Sequence, residues 1–383
     1  MDTNTIKESE SQRILELLFS KMPEIAAERN MDRLLVLMAD LGRSMVLADR
    51  CSLWLLDVDS GELWTKVAHG VKELRVPANA GFVGYSARTG EDLLIEDAYL
   101  DPRFDRRSDL KTKYRTASVM TVPLMNSQGK VMGVYQAINK VGGETVFSKE
   151  DLERLHLTAV YSAKTVESAM LTSELEKTQK EIIHILGEAS ECRSPETGGH
   201  IQRVAEISAK LAECLGLTAE EIEKIRLAAP MHDLGKVGIP DSVLNKPGKL
   251  TDEEYAHMKT HSELGYNMLC KSKRELLRFA ANVARSHHER WDGRGYPLGL
   301  KGSEIPLAGR ICAVADVLDA LSSPRCYKAP WPEEKVREEF MKSSGTQFDP
   351  TVVDALIEHW DEIYACYKNA PHEGDDSTGE SRR

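Results

Sequence analysis

The chain has 383 residues, 41% of them hydrophobic and 29% charged, which is enough for two or three domains with sizeable cores. Its net charge of -11 argues against duplex DNA as the main partner, because neutralising phosphates takes clustered Lys and Arg; a small phosphate ligand in a local basic pocket stays open. Residues 1–10 are polar rather than a secretory leader, and no long apolar stretch suits a membrane helix. The seven cysteines (Cys51, Cys192, Cys214, Cys270, Cys312, Cys326, Cys366) lack CxxC spacing. They are expected to be reduced, buried thiols of a cytoplasmic protein.

Residues 8–45 carry helical apolar spacing, in Ile14, Leu15, Leu18, Met22 and Ile25 and again in Leu34, Leu35, Met38 and Leu41. Pro23 is expected to divide this stretch into two helices. The texture then changes. Cys51–Leu56 and Leu63–Ala68 flank the Asp- and Gly-bearing turn 57–62, and Ala117–Leu124 and Val131–Ile138 flank the turn at 126–129. Strand–turn–strand twice over, with helices on either side, predicts an α+β domain built on an antiparallel sheet. The polar segment Asp97–Arg115 is expected to lie over that sheet as a long loop or short helices, where a ligand lid could sit.

From Lys149 to Cys192 the pattern is helical again. Leu171, Thr178, Ile185 and Cys192 fall seven residues apart, as do Leu175, Ile182 and Ala189 offset by four. This a/d spacing predicts a two-stranded coiled coil between two copies of the chain; a single helix packed on its own domain is the alternative. Residues 191–369 read as all-helical, and the polar tail 370–383 as disordered.

The chemistry concentrates in the helical half. Adjacent His232-Asp233 can reach one cluster from one turn of helix, and a carboxylate can bridge two cations while imidazole supplies a neutral ligand. Glu196 and His200 are four apart, on one helical face. His261 follows, then the pair His287-His288 within Ser-His-His-Glu-Arg-Trp-Asp-Gly-Arg-Gly-Tyr296-Pro297, then Asp316 in an apolar run. A buried carboxylate needs a cation or strong donors to stay charged. His, Asp and Glu without Cys favour two or three Fe, Mn or similar ions over structural zinc. Lys236 would aim a positive charge at a phosphoryl oxygen. Tyr296 could stack on a base or cap the loop core. His69, His156, His184, His257, His359 and His372 have no such context.

His232-Asp233-Leu-Gly-Lys236 with the later His-His-Glu…Gly-Tyr-Pro block resembles the HD-GYP family, cyclic di-GMP phosphodiesterases of the HD superfamily, over about residues 180–365. The resemblance implies metal ligation by His200, His232, Asp233, His261, His287, His288 and Asp316, with Glu196 as the extra acidic ligand of members holding three metals. It implies catalysis by Asp233 and Lys236, and substrate contacts from Lys236, Tyr296, Asp319, Arg325 and Lys328, with Cys326 standing where proline is usual. The implied reaction is hydrolysis of cyclic di-GMP to pGpG and onward to GMP. Another cyclic dinucleotide such as cyclic GMP-AMP, or a non-catalytic receptor module, is the alternative.

Residues 30–170 resemble a GAF domain. Asn139-Lys140, Phe147 and Asp151 are similar to the N-K…F-x-x-x-D-E signature of cyclic-nucleotide-binding members, with Leu152 in place of the final Glu. The resemblance implies a small-molecule ligand; a structural Lys–Asp pair tying a loop to the last helix is the alternative. The expected order is an N-terminal helix (1–29), a GAF sensor (30–170), a helical linker (171–190), an HD-GYP domain (191–369) and the tail (370–383), in a homodimer joined through the linker helix.

Overall fold

The computed structural model describes residues 16–67, 71–106, 109–110, 113–191, 199–324 and 329–369. By contacts the chain divides after Glu176 into two compact units, each with its own core.

In the first unit, helix α1 covers residues 16–27 and α2 Met31–Val46. Two helices form as expected, but Pro23 lies inside α1. The break falls at 28–30, where the Asn30 side chain accepts the Arg33 amide and starts α2. Six strands follow: β1 (Ala48–Asp57), β2 (Glu62–Val67), β3 (Val71–Pro77), β4 (Leu93–Ile95), β5 (Val119–Met125) and β6 (Val131–Lys140). They form one antiparallel sheet in the order β3-β2-β1-β6-β5-β4, with helix α3 (Gly81–Thr89) between β3 and β4. Strands β3 and β4 were not expected from the sequence.

Alternation along the strands decides which side chains go to which layer. Leu53, Leu55, Val122, Leu124, Tyr135 and Ala137 pack with α2 and with Leu155, Ala159, Ala163 and Val166 of the next helix, α4 (Lys149–Glu191). Trp54 and Val134 point the other way and meet Val83 and Ala87 of α3. The Tyr135 hydroxyl donates to Met38 O at 2.9 Å and accepts from Ser162 Oγ at 2.7 Å, pinning both helices to the sheet.

The signature-like residues act structurally here. Lys140 Nζ reaches Asp151 Oδ1 at 2.7 Å and Val46 O at 3.0 Å, with both side chains buried. Asn139 accepts the Ala117 amide and donates to Arg115 O. The segment after β4 turns through a short 3₁₀ helix, Ala98–Leu100. There Asp109 accepts from Tyr99 Oη and from the Thr116 amide.

The second unit is helical, as expected. After the last turns of α4 come α5 (His200–Cys214), α6 (Ala219–Ala228), α7 (Asp252–Leu269), α8 (Glu275–Ser286), α9 (Leu307–Ser322), α10 (Glu333–Ser343), α11 (Pro350–Glu358) and α12 (Trp360–Asn369). Helix α9 is apolar almost all round and buried, with Ile311, Cys312, Val314, Ala315 and Leu318 in the core. Helices α5 and α8 pack against it and contribute Val204, Ile207, Leu211, Ala280, Ala281 and Val283. This frame brings residues far apart in sequence to one point.

Candidate metal centre

Each expected ligand among the described residues comes from an element end or a helix face turned inward. His200 is the first residue of α5. His261 lies in the middle of α7, His287 closes α8 and His288 follows it. Asp316 comes from α9. His232 and Asp233 do not ride on a regular helix, as the sequence suggested. They join two 3₁₀ turns, Ala229–Met231 and Leu234–Gly238. The reason is local: Pro230 has no amide to donate, and Gly235 must sit against α7. A Cβ on Gly235 would lie 1.9 Å from His261 O and 2.6 Å from the Gly265 amide nitrogen, so only glycine fits.

The donor atoms form two groups. Asp233, His261, His287 and His288 make one, and His200, His232 and Asp316 the other; within each group the ligand atoms all lie within 4.8 Å of one another. They touch where His232 Nε2 faces Asp233 Oδ2 at 3.2 Å. His261 Nε2 and His287 Nε2 face Asp233 Oδ1 at 3.2 and 3.5 Å, and His200 Nε2 faces Asp316 Oδ1 at 3.7 Å.

The histidines are oriented from behind. Nδ1 of His232, His261 and His287 lies 2.7–2.9 Å from the carbonyl three residues earlier (Ala229, Met258 and Ala284). Nδ1 of His200 lies 2.6 Å from Asp319 Oδ2. Holding the proton on Nδ1 leaves the Nε2 lone pair pointing into the cluster. Nε2 of His200, His232 and His287 and Oδ1 of Asp233 are buried with no hydrogen-bond partner. Orphaned acceptors at this density are costly unless a cation sits among them, and an all N/O donor set suits divalent metals. The residues present therefore fit a divalent metal site.

Charges in the cluster follow from burial and neighbours. Burial alone would raise the Asp233 carboxyl, but Lys236 and His232 outweigh it and hold it well below the ordinary range. Burial would lower His200 and His232, yet the surrounding carboxylates push them up to about 8 and about 10. Burial, reinforced by neighbouring histidines, depresses His288, and burial depresses His287.

Lys236 Nζ lies 2.7 Å from Asp233 Oδ2, at the edge of the cluster. The Tyr296 ring packs 4.8 Å from the His288 ring, and burial raises its hydroxyl pKa. Asp319 is not an open substrate contact. Its carboxylate is 2% exposed and is taken up by His200, by Arg203 Nε and by Ser323 Oγ. Burial would raise it, but the hydrogen bonds from His200 and Arg203 hold it below its usual value. Glu196, Arg325 and Lys328 lie outside the described residues.

Two working residues escaped the sequence reading. Glu289 is buried and accepts the Leu298 and Leu300 amides at 2.7 and 3.0 Å, holding the chain that follows the Gly-Tyr-Pro run. Its place beside the histidine pair was the available signal. Arg203 is fully buried against Asp319; being three residues beyond His200 puts it on the same helical face, but its burial has no sequence signal.

Comparison with known proteins agrees with this architecture. Residues 30–165 match the family model for the GAF domain and residues 186–352 the one for the HD domain. A 3'3'-cGAMP-specific phosphodiesterase 2 from Vibrio cholerae is 46% identical over 231 residues, 60% of this chain and 44% of its own length. A cyclic di-GMP phosphodiesterase from Thermotoga maritima is 43% identical over 207 residues, 54% of this chain and 56% of its own. The cyclic di-GMP phosphodiesterase response regulator RpfG from Xanthomonas campestris is 45% identical over 197 residues, 51% and 52%. The chain spans about half the length of the curated relatives it matches. With the sheet, the helical unit and its His/Asp centre in place, the chain carries a GAF domain over residues 30–165 followed by an HD domain over residues 186–352.

Proposed function

We propose that the helical unit is a metal-dependent phosphodiesterase that hydrolyses cyclic di-GMP to pGpG and onward to GMP. The observation that carries this reading is the pair of abutting donor groups joined at Asp233, with Lys236 beside them. Relatives over this region are named for cyclic di-GMP hydrolysis.

His200, His232 and Asp316 would hold one cation and Asp233, His261, His287 and His288 another, with Asp233 reaching both; Glu196 is the candidate ligand of a third. Iron or manganese suits this imidazole–carboxylate set. Such cations, when bound, lower the pKa of a water and neutralise phosphoryl oxygens. The chain's own residues do the rest. Lys236 and the Tyr296 loop position the phosphodiester, with Arg325 and Lys328 as further substrate contacts. Asp319 and the backbone carbonyls keep the imidazoles aimed. In the reaction, water oxygen bonds to phosphorus, the bond to the 3′ oxygen breaks, and a proton passes to that oxygen.

A second reading is 3'3'-cGAMP as substrate, favoured by the relative of that name, which is 46% identical. The GAF domain, taken as residues 30–170, is proposed to sense a small molecule. The linker helix 171–190 is proposed to join two copies, carrying the signal to the catalytic domain 191–369.

The test is anaerobic. Full-length protein loaded with Fe(II), Mn(II) or Mg(II) is incubated with cyclic di-GMP or 3'3'-cGAMP beside an Asp233→Ala control, and products are separated by chromatography. Metal-dependent pGpG that falls at least about 100-fold in the control supports the reading, since Asp233 would be a ligand where the two donor groups meet. Turnover of 3'3'-cGAMP alone moves the substrate assignment, and cyclic di-GMP binding without turnover makes the domain a receptor.

A further inference from the structure

Helix α4 ends at Glu191, and its side chain points at the metal centre. Glu191 Oε1 lies 3.4 Å from His200 Nε2, with side chains only 10% and 3% exposed. His200 Nδ1 is committed to Asp319, so Nε2 presents a lone pair, and that atom has no hydrogen-bond partner. A carboxylate oxygen and an imidazole nitrogen held face to face in a buried site need something positive between them, either a proton on Nε2 or a cation that displaces it. Their separation suits two ligands of one cation, since bonds of about 2.1 Å set about 108° apart span it. Asp316 Oδ1, 3.7 Å from the same Nε2, supplies a third donor on another side.

The end of α4 is itself held down. A Cβ on Gly187 would lie 2.7 Å from Pro230 O, two residues before His232, and Ile183 is buried in the helical core. The same turn that carries Glu191 therefore rests on the segment bearing His232-Asp233.

We propose that Glu191 is a carboxylate ligand to a divalent cation at His200, making the last turn of α4 part of the metal centre. This rests on the metal reading above and names a residue outside the expected ligand set. Because α4 also contributes Leu155, Ala159, Ala163 and Val166 to the core of the first unit, one helix carries both sensor packing and a ligand. Cation occupancy and the ordering of the helix end are then linked, each favouring the other.

The experiment uses the full chain, freed of metal and titrated with Mn(II). Bound metal is counted by elemental analysis, and amide hydrogen exchange is followed by mass spectrometry. The variants are Glu191→Gln and, as a control on an exposed position of the same turn, Glu188→Gln. The expected result is that Glu191→Gln loses one equivalent of Mn(II), or binds its weakest equivalent at least about 10-fold less tightly, a loss in the range of removed metal-site groups. Glu188→Gln should match the wild type. Mn(II) should also slow exchange at 186–191 in the wild type, a readout that needs no variant to fold. Unchanged stoichiometry and affinity in Glu191→Gln overturns the proposal, as does exchange at 186–191 indifferent to Mn(II). A wild type that binds no Mn(II), Fe(II) or Mg(II) overturns this proposal and the phosphodiesterase reading together. Metal-dependent turnover with unaltered binding in Glu191→Gln sinks this proposal alone.

Discussion

At the scale of single residues, the centre is built by fixing imidazoles from behind. Four histidines give Nδ1 to a carbonyl or to Asp319, and the lone pairs that remain define where a cation goes. This has a pH consequence. Without a cation, His200 and His232 hold protons up to about 8 and about 10, so at pH 7 a metal must displace them. His287 and His288, depressed by burial, are already neutral there. Metal affinity should therefore rise with pH between 6 and 8, by up to about tenfold per pH unit for each proton displaced, and binding should release protons. Calorimetry in two buffers of different ionisation enthalpy measures the release; affinity flat across that range would contradict the assignment. Ligand identities were legible in the sequence because coordination tolerates few residue types. The role of Asp319 was not. The family resemblance made it a substrate contact, and only the packing of α9 on α5 turns it toward His200 and Arg203.

At the scale of elements, the short 3₁₀ pair around His232-Asp233 depends on close backbone approach to α7. Gly235→Ala would drive a methyl into His261 O, so backbone must shift either in the segment that carries His232 and Asp233 or in the helix that carries His261. A loss of about 3 kcal/mol or more in unfolding free energy is expected, with weakened metal binding. Urea denaturation of the metal-free protein reads the first and Mn(II) titration the second. A variant as stable as wild type would show that the turns are free to relax. The Gly-Tyr-Pro loop is tight for a similar reason. A Cβ on Gly295 would fall 2.3 Å from the Arg290 amide nitrogen, while Glu289 holds the far side of the loop. Strong local signals located the long helices and the central strands. They missed β3, an edge strand paired only to β2 whose run Val-Lys-Glu-Leu-Arg-Val-Pro is too rich in charge to read as a buried strand, and β4, whose three residues are too few to show a pattern.

At the scale of the whole molecule, α4 is the common element. Its outer positions Leu171, Leu175, Ile182 and Ile185 are 51–66% exposed in the single chain, at the heptad spacing read from the sequence. Apolar side chains in such a row are covered when two helices pair. Leu175→Glu with Ile182→Glu should shift the protein from dimer to monomer in light scattering while leaving both cores folded. A wild type that is monomeric at tens of micromolar would remove the dimer from the proposal. Among the described residues no helix is long and apolar enough to cross a membrane.

The sequence by itself determined the two domain types, the antiparallel-then-helical order, the long connecting helix and the cluster of metal-ligand residue types. These rest on periodicity, turn chemistry and the narrow choice of side chains that bind cations. Tertiary structure alone decided which nitrogen His200, His232, His261 and His287 present, that Asp319 serves His200 and Arg203, that Lys140 and Asp151 form a buried structural pair, and that Glu191 arrives beside His200. Those outcomes depend on which helix faces meet in space. Contacts between residues over a hundred positions apart, such as His200 and Asp319, leave no local pattern to read.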